Sequence, residues 1–284
     1  MKVLAVLSVK AEHRLEVLLR VAGLARSTFF YHQARLHAPD PHAALKADIA
    51  RLFDKNKGRY GHRRVHDQLR KKGWRVAKKT VLKLMNQLGL VCRVRRKKPY
   101  SSYRGQAGRV APNLLERDFT AQEPNQKWVT DVSEFVVAGH KVYLSPVMDL
   151  FDRQIISYTA GLSPNLELTN ASLRAALKTL ADGQSPLVHS DQGFQYQHVS
   201  WRRLLAGVGG VQSMSRKGNC LDNAVIESFF GHLKEEFYTH AEFETVEEFT
   251  VGLKEYIAWF NHERAHGYLG GLSPVQYRAQ ALAA

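Results

Sequence analysis

Cysteine is nearly absent from this chain of 284 residues. Cys92 and Cys220 stand far apart and show no metal-ligand spacing. That excludes a disulfide scaffold, makes a zinc site unexpected, and suits reduced thiols in a cytosol. No run of about 18 apolar residues exists, so no membrane-spanning helix is expected. The apolar start, Met1 to Val9, has no small-residue cleavage site after it, so a secretory signal is not expected either. Internal repeats and low-complexity tracts are also missing. Acidic residues are scarce in one region only. Residues 1–110 hold 27 Lys and Arg against 6 Asp and Glu, a net +21, while residues 111–284 hold 14 against 20, a net −6. A basic half joined to an acidic half fits a nucleic-acid-binding arm on a metal-dependent catalytic body. A merely solvated basic domain carries a similar charge.

What is present divides along the chain. Residues 12–35 look helical with a break at Gly23, and Ser27 is placed to cap a second helix there. Ala38-Pro39-Asp40-Pro41 reads as a linker. A helical block follows over Ala43 to Lys55, and another over 62–72 with Val65 and Leu69 inward. Gly73-Trp74 marks a turn, after which Val81, Leu84, Met85 and Leu88 recur at helical spacing. Lys78, Lys79 and Lys83 lie off that stripe. Helix, turn and basic-faced helix make a helix-turn-helix pattern, although generic helical hairpins look alike. Arg93, Arg95, Arg96, Lys97 and Lys98 follow, placed to meet phosphates without reading sequence. The domains read as a helical segment at 1–40 (a possible helix-turn-helix), a DNA-binding unit at 43–98, a linker at 99–118 and a catalytic core at 119–284. Whether 15–32 or 62–88 reads bases stays open.

From residue 119 the period changes. Strands are expected over 128–135, 142–149 and 155–160, then a helix near 167–181, a strand at 187–191, a helix near 197–206, a strand at 211–215, and helices at 223–237 and 246–261. This order suits an α/β, ribonuclease-H-like core with a mixed five-stranded sheet, preceded by an all-α helix-turn-helix region. Three carboxylates stand in apolar segments of that core: Asp131 and Asp191 at strand ends and Glu227 on a helix. Ionised carboxylates withdrawn from water need a positive partner, and hard Mg2+ prefers oxygen ligands and phosphates. Other acids read differently. Glu134 is three residues from Asp131 and so on the opposite face of a strand. Asp149 and Asp152 flank a turn and suit local caps. Asp222 and Asn223 suit a helix N-cap. Lys234 stacks seven residues beyond Glu227, with Gly231 leaving room beside them.

Thr130-Asp131, His189-Ser190-Asp191-Gln192-Gly193, and Asn223-Ala224-Val225-Ile226-Glu227-Ser228-Phe229-Phe230 with Lys234 resemble the catalytic motifs of bacterial insertion-sequence transposases. That group belongs to the DDE superfamily, alongside retroviral integrases, and the likeness is to its second-reading-frame (OrfB) proteins. Tyr60-Gly61-His62-Arg63-Arg64-Val65 resembles the group's helix-turn-helix entry. Tyr256-Ile257-Ala258-Trp259-Phe260-Asn261 with Arg264, His266, Leu269, Ser273-Pro274 and Tyr277 resembles its C-terminal signature. The resemblance implies DNA cleavage and strand transfer at element ends, with Asp131, Asp191 and Glu227 holding two Mg2+ or Mn2+ ions. It implies that Lys234 contacts DNA and that Ser213 to Asn219, with Arg216 and Lys217, is a loop near the DNA end. Expected partners are double-stranded DNA (terminal inverted repeats and target), further copies of the chain on DNA, and an upstream first-frame protein. The setting is the bacterial cytoplasm, at the nucleoid when DNA is bound. Two departures stand out. Pro146 interrupts an inner strand, where a ladder donor is needed. The His-His-Cys-Cys zinc motif of retroviral integrases is absent, so zinc is not expected. A DNA-binding regulator without catalysis, and a nuclease that cuts without joining, are the other readings.

Overall fold

The computed structural model describes residues 2–36, 38–93, 110–216 and 219–283, with Cys220 described by its backbone alone. Arg95, Arg96, Lys97, Lys98 and Lys217 therefore lie outside the described residues.

Three short helices come first: α1 (Lys2–Ser8), α2 (Leu15–Ala22) and α3 (Arg26–Leu36). Val6, Leu19 and Phe29 form their common core. Gly23 sits at φ 59° between α2 and α3, a left-handed C-cap that glycine adopts without strain. The expected break is therefore observed. Ser27, however, lies inside α3 and does not cap it.

The second unit comprises α4 (Ala43–Lys55), α5 (His62–Lys71) and α6 (Lys78–Gln87). Its core holds Ile49, Val65, Leu69, Val81, Leu84 and Met85, as the apolar stripes require. Leu88 departs from the stripe: it caps α6 and is exposed. Lys78, Lys79 and Lys83 face solvent along α6. This core is completed from the far end of the chain, because Ala265 is buried in it and Trp259 packs against it.

The third unit carries a mixed sheet: β1 (Lys127–Thr130), β2 (Ser133–Val137), β3 (His140–Asp149), β4 (Ile155–Gly161), then helix α7 (Leu166–Leu177), β5 (Leu187–Ser190), helices α8 (Phe194–Gln197) and α9 (Val199–Ala206), and β6 (Val211–Met214). Helices α10 (Ala224–Leu233), α11 (Val246–His262) and α12 (Pro274–Leu282) follow, with a wider π-helical turn at Lys234–Tyr238 directly after α10. β1 lies antiparallel to β3 and parallel to β5, and β6 continues the parallel side. One apolar core of Phe135, Leu144, Phe229, Phe249 and Phe260 lies between the sheet and α10–α11. A second, including Trp128, Leu173, Tyr196 and Trp201, lies on the α7–α9 side. No described helix is long and apolar enough to cross a membrane.

Two expectations need correction. The strand expected over 128–135 is broken at Asp131 and Val132, so the expected five strands become six, with β1 and β2 both paired to β3. Residues 110–118 are also more than a linker. Leu115 is buried in the sheet's core, and the N–H groups of Leu114 and Leu115 donate to Ser213 Oγ at 2.9 and 3.2 Å.

Pro146 finds its explanation in the broken strand. In the register that both pairings with β3 share, Asp131 stands opposite Pro146. The proline's missing N–H thus falls where the facing strand leaves the ladder, so no hydrogen bond is forfeited. Thr130 Oγ1 closes the gap by donating to the Pro146 carbonyl at 2.8 Å.

Candidate active site

The registers bring two of the three carboxylates together. Lys127 pairs with Leu187 and Val129 with His189, so the same offset sets Asp131 beside Asp191, just past the carboxyl ends of two adjacent parallel strands. Such ends are where open α/β sheets place ligands. Both aspartates are half-buried. Asp131 turns back on itself: its Oδ1 accepts from the Val132 N–H at 2.8 Å. Asp191 Oδ1 accepts from the Gly193 N–H at 2.9 Å. A Cβ at Gly193 would lie 2.9 Å from Asp191 Oδ1 and 2.9 Å from Gln195 Oε1, so a larger residue would push those side chains aside. Each aspartate's Oδ2 is left free of these turns.

Glu227 arrives on α10, whose buried face is Ile226, Phe229, Phe230 and Leu233. Asn223 Nδ2 reaches the Thr130 carbonyl at 3.5 Å, tying the start of α10 to the end of β1. Asp131 feels both of the other acids. Burial raises the Asp131 carboxyl well above the ordinary carboxylate range, and the charge of Asp191 and then of Glu227 adds to this; the Val132 N–H and Lys234 pull the other way. Asp191 is raised by burial, against the Gly193 N–H. Lys234 also lies over the Phe135 ring, 5.2 Å from its centroid. As the side chains stand, no three His, Cys, Asp or Glu among the described residues form a finished metal cage. The fit to a divalent cation lies in the charge: two half-buried aspartates whose like charges oppose ionisation, with a third acid adding to the same field.

Neighbouring acids have other work. Glu134 is exposed and pairs with Lys141 at 3.1 Å. Asp149 and Asp152 accept from the N–H groups of Phe151 and Gln154, as turn caps do. Both also pair with Arg278 of α12. Asp222 does not cap α10. It is fully buried and accepts from Arg216 Nε and Nη2 at 2.9 Å each, from Arg117 Nε at 2.8 Å and from Asn113 Nδ2 at 3.1 Å. Those hydrogen bonds, Arg216 foremost, hold its carboxylate well below the usual range despite burial. Arg216 is therefore an exposed strut of its loop rather than an unengaged cation. Arg93 is likewise half-buried, its Nη1 donating to the Glu236 carbonyl at 3.3 Å.

Comparison with known proteins fits this architecture. Models described as "Integrase core domain" match residues 121–220 and 227–282, and one described as "HTH-like domain" matches 41–98. The InsK protein of insertion sequence element IS150 from Escherichia coli is 46% identical over 266 residues, covering 94% of each chain. Transposase InsF for insertion sequence IS3A, from the same species, is 33% identical over 279 residues, covering 96% of this chain and 97% of its own. The chain belongs to the insertion-sequence transposases. The HTLV-2 integrase catalytic core domain in complex with magnesium shows a fainter likeness, at 14% identity and a TM-score of 0.45 over 55% of this chain and 98% of that one.

One further residue, not singled out by sequence pattern, stands at this transposase's carboxylate pair. Tyr196 of α8 is buried against Trp201, its hydroxyl beside the side chains of Thr130 and Ser145. Burial and then the charges of Asp131 and Asp191 push that phenol well above its ordinary range. Its only sequence signal is an aromatic five residues after Asp191, which reads equally well as core.

Proposed function

We propose that this transposase cuts and joins DNA at insertion-sequence ends, with Asp131, Asp191 and Glu227 as its catalytic carboxylates. The observation that carries this is the meeting of Asp131 and Asp191 at adjacent parallel strand ends, within the field of Glu227 from α10. The three acids would hold Mg2+ or Mn2+, two ions in the full reading. Bound there, the ions would supply charge stabilisation to phosphoryl transfer between a water or a 3′-hydroxyl and a phosphodiester. The protein's own part is positioning. The Val132 and Gly193 N–H groups fix one oxygen of each aspartate. Lys234 adds the cation that a DNA phosphate beside the acids needs.

We further propose that 43–98 is the DNA-binding arm, with Lys78, Lys79 and Lys83 exposed on α6 and the basic run through Lys98 beyond it. Residues 119–284 are the catalytic body, together with 110–118, whose contacts run to β6 and Asp222. Because two element ends must meet, the working form is an assembly of copies on DNA, and an upstream first-frame protein is a candidate partner. The test is strand transfer with labelled duplex element ends and Mg2+ or Mn2+, comparing the native chain with Glu227→Gln. Metal-dependent joined products that disappear in Glu227→Gln support the reading. Cleavage without joining leaves a nuclease, and binding with neither leaves a regulator or a chain that needs its upstream partner.

A further inference from the structure

A cleft of about 350 Å³ opens on the side of α10 turned away from Glu227 and Lys234. Its floor is apolar, made by Val225, Phe229 and Phe260, and its walls carry Arg64, Arg153 and Arg264. The walls come from separate parts of the chain: α5 of the HTH-like unit, the β3–β4 turn, and the segment after α11. None of the described residues that line the cleft is a carboxylate. Arg64 and Arg264 both bond to the single acid Glu236, at 3.2 and 2.7 Å. Arg153 donates through Nη2 to the Phe119 carbonyl at 2.9 Å, and its buried Nη1 makes no well-formed hydrogen bond, while the Tyr268 hydroxyl and the charges of Asp149 and Asp152 support the guanidinium. At the mouth Tyr268 is 62% exposed, and the Arg153 guanidinium lies 4.6 Å from its ring centroid. A large exposed aromatic stacked on an arginine that keeps a guanidinium N–H without a well-formed hydrogen bond is costly to leave bare.

An apolar floor with guanidinium walls and an aromatic lip fits a flat ring attached to an anion. A phosphate alone would leave Val225, Phe229 and Phe260 idle, and an apolar side chain would leave Arg153 unmatched. A nucleotide uses both, stacking its base on Tyr268 and setting its phosphate against arginine, which favours planar, two-point contacts. The volume suits one such unit. Bases in a duplex are stacked out of reach, so the occupant belongs to an unpaired strand. We propose that this cleft binds one nucleotide of single-stranded DNA, at a place distinct from the carboxylate centre. The choice of DNA as the nucleic acid rests on the transposase reading.

The test uses the full chain without divalent metal and a single-stranded oligodeoxynucleotide carrying one 2-aminopurine. Binding should quench the probe, because its base stacks on an aromatic ring. Tyr268→Ala should weaken strand binding about tenfold or more and abolish the quench, Tyr268→Phe should preserve both, and duplex affinity should barely change. Because Tyr268 is largely exposed, Tyr268→Ala leaves the core intact. Equal strand binding and equal quench in Tyr268→Ala overturn the proposal, as does an equal loss on duplex. Glu227→Gln separates the two readings. If it loses joining but keeps the Tyr268-dependent quench, the cleft acts independently of catalysis. If the native chain shows the quench but never joins DNA, the catalytic reading fails and the cleft stands.

Discussion

Two acidic centres lie on one helical stretch, nine residues apart, and they are built on opposite principles. At Glu227 a carboxylate joins two others, and burial first, then the charges of Asp191 and Glu227, drive Asp131 upward. At Glu236, in the π-helical turn, a buried carboxylate is saturated. It accepts from Arg264 Nε and Nη2 at 2.8 and 2.7 Å, from the Tyr256 hydroxyl at 3.0 Å and from Arg64 Nη1 at 3.2 Å. Burial pushes Glu236 up, but the charge and hydrogen bonds of Arg264, helped by Arg64, hold it down at about 2. The difference separates an acid that serves stability from acids proposed for chemistry. A satisfied carboxylate has nothing left to offer a ligand, whereas a crowded one lowers its energy by accepting a cation.

The comparison can be broken most decisively through activity. Asp131→Asn or Glu227→Gln should lower strand transfer by ~10⁴-fold, with DNA retention in a gel-shift assay nearly unchanged. Retained joining would remove these acids from the chemistry. Next in size, Glu236→Gln should cost about 3–5 kcal/mol, because it leaves Arg264 buried without its counter-charge. Chemical denaturation would measure this, and a loss under 1 kcal/mol would contradict the saturated reading. The acid limb comes third. Glu236 is depressed in the fold, so its contribution is complete above the unfolded carboxyl value near 4.5 and fades as pH falls toward about 2. Stability followed by circular dichroism between pH 5 and pH 2.5 should fall more steeply for the native chain than for Glu236→Gln, and parallel curves would sink the assignment. The smallest effect has the opposite sign. Without divalent metal, Asp131→Asn should raise stability by about 1 kcal/mol, because it relieves like-charge crowding; a drop in melting temperature would show that the centre is already compensated.

How much of this was legible in the sequence depended on the range of the interaction. Local periodicity marked α4 and α5 closely, and the apolar face of α10 was readable because it repeats every turn. Asp131, Asp191 and Glu227 stood out because each interrupts an apolar run. Interactions across long separations were not legible. Asp222 looked like a cap for the helix that follows it, and nothing nearby announced Arg117 as a partner 105 positions away. The turn-capping reading of Asp149 held at Phe151, but its pairing with Arg278 was invisible. Pro146 looked like a fault until the register set it opposite Asp131. Hydrophobic pattern specifies which face is inward, whereas ion pairing between distant elements depends on a topology that pattern does not encode.

The hydroxyl of Tyr60 donates to the Glu263 carbonyl at 3.2 Å and accepts from the Ala265 N–H at 2.7 Å, and Ala265 completes the core of α4–α6. A unit that begins near residue 41 therefore waits for residue 265 before its interior closes. Translation runs from residue 41 toward residue 265, so the 43–98 unit keeps an open seam until residue 265 has left the ribosome. Products that stop before residue 265 would carry that unit in a loosened form.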